Sequence, residues 1–194
     1  MNRNHSAIIK NGLARATPIP TLGYRERQWR EDELDISVSD QMKLAMRSLA
    51  QSVVVITTAA GGARHAMSAT SVTSVSLDPP SMLFCMNRSA SSHPTLLAGA
   101  GFCINMLGLH HEPLARLCSG AAKGEARFAE GQWDYDGDGI PYLIDAQASI
   151  SCVQDGRMSY GTHDIFIGKV KSVRTTVDVR PLVYVDGIYS GIAR

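Results

Sequence analysis

The stretch that decides the fold spans residues 67–93. It begins Met67-Ser-Ala-Thr-Ser-Val-Thr-Ser-Val-Ser-Leu-Asp-Pro-Pro80 and continues through an apolar run, 81–86, to Asn87-Arg-Ser-Ala-Ser-Ser-His93. The first part alternates as a strand does, but nearly every second side chain in it is a small hydroxyl. A strand made only for burial carries larger β-branched or aromatic residues on its inward face. Small hydroxyls instead let a flat ligand lie close to the backbone while donors and acceptors contact its polar edge.

The end of the same stretch supplies groups that bind phosphate. A polar loop with one arginine, Arg88, and several serines follows the apolar run, and Pro94 is expected to open a helix directly after it. Hydroxyls, backbone N–H groups and a guanidinium beside a helix N-terminus are suited to an anion. A planar ring at one end and a phosphate at the other describe a mononucleotide such as FMN.

Length and composition set the limits of the prediction. The chain has 194 residues, enough for one domain with a substantial core, and its net charge of +1 argues against nucleic acid or a membrane surface as partner. No apolar run approaches the length of a membrane span, and the N-terminus lacks a signal-peptide core. The four cysteines are widely spaced without metal-type pairing, which favours reduced thiols. We therefore expect a cytoplasmic protein.

The pattern of residues divides the chain into an arm and a domain. Residues 1–38 have no sustained apolar period and mix prolines with a charged run, which predicts an irregular or dimer-wrapping arm. A nucleic-acid arm is disfavoured because acids cancel the arginines there. Residues 39–194 are predicted to form a single domain.

Strands are predicted to outnumber helices within this domain. Helices are expected at 39–49, 94–98 and 113–119, and the apolar face of the first (Met42, Ala45, Met46 and Leu49) is interpreted as core. Strands are expected at 53–57, in the segment from Met67, and at 101–107, 146–153, 165–173 and 182–185, with a hairpin turn at 59–62 and a glycine-rich loop over 120–140. This pattern predicts an antiparallel barrel or sandwich, not a doubly wound sheet. No glycine-rich dinucleotide fingerprint follows any strand.

Seven segments, in this order, resemble the short flavin reductases with an FMN-binding split barrel, which serve two-component monooxygenases. They are Val53-Val-Val-Ile-Thr-Thr58, the quoted residues 67–80 and 87–93, Gly101-Phe-Cys-Ile-Asn105, Leu114-Ala-Arg116, Arg127-Phe128 and Gly161-Thr-His-Asp-Ile-Phe-Ile-Gly168. The resemblance covers residues 40–190. It implies a mainly β fold, a Greek-key antiparallel split β-barrel with short inserted helices.

The resemblance also implies a function. It indicates a homodimer that binds FMN or FAD, accepts hydride from NADH or NADPH and releases reduced flavin to a separate monooxygenase. By position in the motifs, His163 would be the catalytic residue on the nicotinamide side. The flavin-binding residues would be Ser68, Ala69, Thr70, Ser71, Ser74, Val75, Ser76, Asn87, Arg88, Ser89, Ser92, His93 and Asn105. Many members have Gly-Asp-His where this chain has Gly161-Thr162-His163, so no carboxylate is expected there.

The residue types agree with this chemistry but leave alternatives open. Hydride transfer between cofactors needs no protein nucleophile, which suits a site rich in hydroxyls and poor in acids. A flavoredoxin-like carrier with tightly bound FMN, or a non-catalytic flavin-binding or calcium-binding module, stays open. Without the resemblance, His163 and Asp164 would be interpreted as a surface pair at a strand start.

Two clusters have the composition of metal sites. The sequence Asp134-Tyr-Asp-Gly-Asp-Gly139 matches the first half of a calcium loop, with Asp145 near the position of its final acid. Pro141 interrupts that loop, and flanking helices are not apparent. The second cluster, His110-His111-Glu112, lies directly before a helix and has no matching ligands elsewhere, so a solvated helix entry is favoured over a metal site. No metal is predicted.

Overall fold

The computed structural model describes residues 36–192, and nearly all of the arm predicted for residues 1–38 lies outside this range. The helices are α1 (Val38–Arg47), α2 (His93–Leu97) and α3 (Glu112–Arg116), with 3-10 turns at Leu109–His111 and Gly124–Phe128 and a π-helical turn at Leu117–Ala121. The strands are β1 (Gln51–Ser52), β2 (Val54–Ala60), β3 (Ala63–Ala69), β4 (Val72–Leu77), β5 (Pro80–Asn87), β6 (Phe102–Met106), β7 (Trp133–Tyr135), β8 (Pro141–Leu143), β9 (Ala148–Tyr160), β10 (His163–Thr175), β11 (Val183–Val185) and β12 (Ile188–Ser190). Within the described range, no helix has the length and apolarity to cross a membrane.

A seven-stranded antiparallel sheet organises the fold, in the order β3-β2-β6-β9-β10-β5-β4. The consecutive strands β3 and β4 lie at opposite ends of this order, so the chain crosses from one edge to the other at residues 70–71. Because only these two residues separate β3 from β4, the two edges lie next to each other there and the sheet curls into a barrel. The Ser71 carbonyl accepts a hydrogen bond from the Cys85 N–H (3.0 Å), which extends the pairing of β4 with β5. The segment predicted as one strand from Met67 is therefore two strands, because each half pairs at a different edge.

Strand β2 is apolar on both sides because both of its faces are covered. Val54 and Ile56 belong to one core cluster, whereas Val53 and Val55 belong to the other. The first cluster also contains the phenylalanines Phe84, Phe102 and Phe166, and the second contains Leu107, Leu114 and Leu143. The prediction of a buried strand at 53–57 is confirmed.

The strands of the C-terminal half are longer and more numerous than the sequence pattern predicts. β9 and β10 each have 13 residues, and they form a hairpin with Gly161 and Thr162 as its loop, because Tyr160 pairs with His163. The predicted glycine-rich loop contains β7, and β12 was not predicted. A strand of three residues is too short to show a period.

The apolar face of α1 does not lie in the core, contrary to the prediction. The helix has no buried residue, and Met42 and Met46 are 62% and 49% exposed. Its C-terminal end is held by a polar contact, in which Arg47 Nε donates to Asp186 Oδ1 (2.8 Å). A helical period identifies an apolar face but does not say what covers it.

Candidate functional site

The predicted ring-binding and phosphate-binding segments meet at the C-terminal end of β5. On this strand, Cys85 is hydrogen bonded to Ser71, and Asn87 pairs with His163 of β10. The chain crossing, the loop that begins at Asn87 and the start of β10 therefore share one end of the barrel. The residues before Ser71, at the end of β3, are half-buried: Ser68, Ala69 and Thr70.

The loop of residues 87–93 is ordered by its own polar groups. Asn87 Oδ1 accepts hydrogen bonds from the Ser89 N–H (2.9 Å) and the Ser89 hydroxyl (2.8 Å), which makes an Asx-type turn. The Asn87 carbonyl accepts a third hydrogen bond, from the Ala90 N–H (3.0 Å). These contacts leave Asn87, Arg88 and Ser89 exposed at the surface.

Arg88 is fixed against the tip of the β9–β10 hairpin. Its N–H donates to the Thr162 carbonyl (3.0 Å), and its guanidinium donates to the Gly161 carbonyl. Gly161 has a φ of 56°, a left-handed conformation that favours glycine. Because a carbonyl oxygen carries no net charge, the exposed guanidinium keeps its full positive charge for an anion.

His163 is exposed beside this loop. Its Nδ1 lies 2.9 Å from the Thr162 hydroxyl oxygen, and its backbone pairs with Asn87 on one side and with Tyr160 on the other. The threonine hydroxyl orients the imidazole without placing a negative charge next to it. The ring therefore faces the solvent at the edge of the group formed by Ser71, Asn87 and Arg88.

The next residue, Asp164, is buried rather than part of a surface pair. Its Oδ2 accepts hydrogen bonds from His93 Nε2 (2.8 Å) and Arg157 Nη1 (3.1 Å). The hydrogen bond from His93, followed by those from Ser159 and Arg157, lowers the pKa of Asp164 to about 2 in spite of its burial. An ionised carboxylate thus joins the end of the 87–93 loop to β9.

Three of the predicted flavin-binding residues face the interior. Ser92 is buried with its hydroxyl against the Met86 sulfur, and His93 is buried against Asp164. Asn105 is fully buried, and its Nδ2 donates to Val55 O (3.0 Å) and Thr57 Oγ1 (3.2 Å). Its Oδ1 accepts from the Leu143 N–H (2.8 Å) and the Ser149 hydroxyl (2.9 Å), so the whole amide is used within the barrel. Its place in a sequence motif gave no information on the direction of its side chain.

The hydroxyls of β4 form a separate group near the β4–β5 turn. Ser74 pairs with Met82, which places it about 17 Å along β5 from Asn87 at the rise of an extended strand. The Ser76 hydroxyl accepts the Asp78 N–H (3.0 Å) and is used by the turn. Val75, at the register shift between them, has an exposed side chain. The predicted flavin set is therefore divided between two ends of β5.

The acids of the calcium-like sequence are used within the β7–β8 hairpin. Asp134 Oδ2 accepts the Tyr142 hydroxyl (2.8 Å), and Asp136 Oδ1 accepts two backbone N–H groups of the turn (3.0 Å each). Asp138 forms an ion pair with Lys171. These carboxylates are turned to the protein rather than to a common centre, which does not fit a calcium loop.

His110, His111 and Asp145 form a cluster whose possible ligand atoms all lie within 4.8 Å of one another. The third member is thus Asp145 and not the adjacent Glu112. His111 Nδ1 accepts the Gly108 N–H (3.1 Å), so the neutral ring carries its proton on Nε2. A protonated Nε2 has no lone pair for a metal, and the cluster is therefore a hydrogen-bonded support for the start of α3 rather than a metal centre.

The sequence pattern did not predict the contacts of Asp164 with His93 and Arg157. A signal for them exists, because two long segments of strand type flank the residues Gly161-Thr162, which is typical of a two-residue hairpin. Extending that hairpin by register places Ser159 opposite Asp164 and Arg157 opposite Phe166.

Comparisons with known proteins identify the family and the fold of the chain. Residues 46–193 match the model of the flavin reductase like domain family. The reductase component of the FADH(2)-dependent resorcinol hydroxylase of Rhizobium sp. (strain MTP-10005) is 38% identical over 154 residues, which are 78% of this chain and 86% of that protein. The FMN reductase (NADH) RutF of Agrobacterium fabrum (strain C58 / ATCC 33970) is 35% identical over 164 residues, 82% of this chain and 94% of that protein.

A solved structure of a flavin-dependent oxidoreductase has a similar fold. The NADH:FAD oxidoreductase SgcE6 of Streptomyces globisporus C-1027, in complex with NAD and FAD fragments, superposes with a TM-score of 0.74 at 25% identity, covering 81% of this chain and 96% of that chain. The mainly β, split-barrel fold predicted from the sequence is confirmed. The resemblance stated from the motifs is confirmed as well, and this chain belongs to the flavin reductase like domain family.

Proposed function

We propose that this chain is an NAD(P)H-dependent flavin reductase, which transfers hydride from a reduced nicotinamide to FMN or FAD and supplies the reduced flavin to a separate monooxygenase. One observation carries the proposal. At the end of β5, residues 70–71, the 87–93 loop with Arg88, and the exposed His163 lie next to one another. The relatives named above, an FMN reductase and a hydroxylase reductase component, support the same reaction.

The residues at this end of the barrel fit a flavin with its phosphate. The Arg88 guanidinium would bind the phosphate, because charge-assisted hydrogen bonds are the stronger ones. The Ser89 hydroxyl would join it by exchanging its hydrogen bond to Asn87 Oδ1 for one to the phosphate. The hydroxyls of Thr70 and Ser71 would bind the polar edge of the ring, and His163 would contact the nicotinamide. Bound flavin supplies the ring that accepts the hydride, so no nucleophile or general base is required of the protein. The protein holds the two reactants in position.

The exposure of the site favours release of flavin over permanent retention. Ser71, Asn87, Arg88, Ser89 and His163 are all exposed in the described chain. A flavin held by surface groups can leave, as its supply to a second protein requires. A flavoredoxin-like carrier needs a site that encloses its FMN, and the open arrangement is less suited to it.

The proposal is tested by oxidation of NADH and of NADPH, with FMN or FAD added in turn to flavin-stripped protein. Turnover that depends on added flavin is expected, and the four combinations identify the nucleotides used. Yellow protein that turns over without added flavin would instead indicate the carrier. Binding of flavin without turnover would leave a non-catalytic flavin-binding module.

We also infer that the chain is a cytoplasmic homodimer. The support for the dimer is the apolar face of α1 with the residues that follow it, where Met42, Met46 and, after the helix, Leu49 are exposed in the isolated chain. Contiguous exposed apolar side chains of this kind mark protein–protein contacts. The support for the location is that all four cysteines are free thiols, as in a reducing compartment.

A further inference from the structure

A buried ionic cluster lies directly behind the 87–93 loop. Because side chains alternate along a strand, His163 points outward from β10 and Asp164 points inward. The Asp164 side chain is 1% exposed, yet it contacts two basic side chains, His93 and Arg157. A carboxylate is unfavourable in the interior unless its partners are fixed around it. The partners here belong to two different segments, the end of the loop and strand β9.

Strand β10 and its hairpin turn thus hold the loop at both ends. At the start of the loop, the N–H and guanidinium of Arg88 bind the carbonyls of Thr162 and Gly161. At its end, the imidazole of His93 binds Asp164, and the His93 N–H donates to the Ala90 carbonyl (2.9 Å). A displacement of His93 would therefore displace the turn that presents the serines and Arg88.

We propose that Asp164 and His93 are positioning residues that hold the 87–93 loop in the conformation that binds the flavin phosphate. This inference rests on the proposed function, which assigns the phosphate to that loop. The carboxylate of Asp164 stays ionised over the neutral pH range, since its pKa is lowered mainly by the hydrogen bond from His93. An ionised acceptor forms a stronger hydrogen bond than a neutral one, so a rigid link is expected.

The ring-binding end of the site does not depend on this link. Residues 70–71 are attached to β5 through the Ser71–Cys85 hydrogen bond, and neither His93 nor Asp164 takes part in it. Loss of the link should therefore weaken the binding of FMN, which carries a phosphate, much more than that of riboflavin, which lacks one. A general loss of packing would affect both flavins alike.

The test compares the KM values for FMN and riboflavin in the full-length protein and its variants. Asp164→Ala removes the acceptor, and His93→Leu removes the donor. His93→Gln is the conservative variant, because its amide nitrogen can take the place of Nε2. Asp138→Ala is the matched control. It also removes a carboxylate paired with a basic side chain, Lys171, which lies on β10 as Asp164 does but seven residues farther along the strand.

Asp164→Ala and His93→Leu should each raise the KM for FMN about tenfold relative to that for riboflavin, as expected for the loss of a charge-assisted hydrogen bond. His93→Gln should recover most of this loss, and Asp138→Ala should stay within about twofold of the wild type. An unchanged ratio of the two KM values would overturn the proposal. If Asp164→Ala does not fold, the ratio in the two His93 variants decides. If the wild type does not oxidise NADH or NADPH, the proposed function is wrong. This inference is then tested by binding alone: the Kd values for FMN and riboflavin are measured by flavin fluorescence, and their ratio in the variants is compared with the ratio in the wild type.

Discussion

His163 and Arg88 are neighbours in space, yet they are expected to bind different reactants. We predict that His163→Ala raises the KM for the nicotinamide about tenfold and changes the KM for flavin by about twofold or less, because the proposed function assigns the imidazole to the nicotinamide. Steady-state kinetics in which each reactant is varied in turn will measure both values. Thr162→Val is the control, since it keeps the ring and removes only the hydroxyl that orients it. A larger effect on flavin would place His163 on the flavin side.

His111 should make stability depend on pH. Burial lowers the pKa of this imidazole in the folded chain, and Asp145 opposes the effect only in part. The unfolded chain takes up the proton near pH 6.5, about the ordinary pKa of histidine, and the folded chain resists it. The free energy of unfolding is therefore at its full value above that pH and falls as the pH drops toward the lower, folded-state pKa.

The matched variant for this pH dependence is His111→Asn. Its side-chain oxygen can still accept the Gly108 N–H, but it does not titrate. Urea unfolding of both proteins from about pH 7 to about pH 5 should show a smaller loss of stability in the variant. Equal losses in the two proteins would show that His111 is not the group responsible.

At the scale of elements, β10 has room only for a glycine at position 168, where the strand packs against the core cluster that contains Phe102. A Cβ at Gly168 would lie 2.7 Å from Cys152 Cβ and closer still to the tip of the Phe102 ring. A register shift in the pairing of β10 with β9 falls at the same place, between Ile167 and Gly168. Gly168→Ala should lower the free energy of unfolding by about 1–3 kcal/mol, the usual cost of overpacking.

The control for Gly168 is a glycine on the neighbouring strand. At Gly156 of β9, an added Cβ would meet Ile167 at 3.7 Å, an ordinary contact, and the backbone is not left-handed. Gly156→Ala should therefore change the free energy of unfolding by no more than about 0.5 kcal/mol. Chemical denaturation measures the free energy of unfolding of both variants. Equal losses would show that close packing at Gly168 is not the cause.

The elements also show how far a local pattern determines structure. The β-branched apolar run at the start of β2 predicts a strand covered on both faces, because consecutive side chains of a strand point to opposite sides and Val53, Val54 and Val55 are all buried. The period of α1 is equally regular, but its apolar face is exposed in the isolated chain. The helical spacing of apolar residues shows which side of a helix is apolar. What packs against that side depends on residues distant in the sequence or on another chain.

At the scale of the whole molecule, topology decides which of the motif residues can act together. The motifs predicted the fold, but they did not predict that the chain crosses between sheet edges at residues 70–71. That crossing brings Ser71 to the end of β5 and leaves Ser76 at the β4–β5 turn. Asn105 was assigned to flavin by its motif alone, and only the packing shows that its amide is used inside. Polar residues of the motifs thus divide between the two ends of β5 and the core according to long-range pairing.

The exposed face of α1 leads to a prediction about assembly. The wild type should sediment as a dimer, and Met46→Glu should give a monomer, because burying an unpaired carboxylate in an apolar contact is strongly unfavourable. Lys43→Glu is the control, since Lys43 pairs with Asp40 at the exposed, polar side of the same helix. Sedimentation velocity over a range of protein concentrations will measure all three. A monomeric wild type, or a Met46→Glu variant that remains dimeric, would show that this face is not the interface. Flavin turnover by the monomeric variant would further show that the residues at the end of β5 form a complete site within one chain.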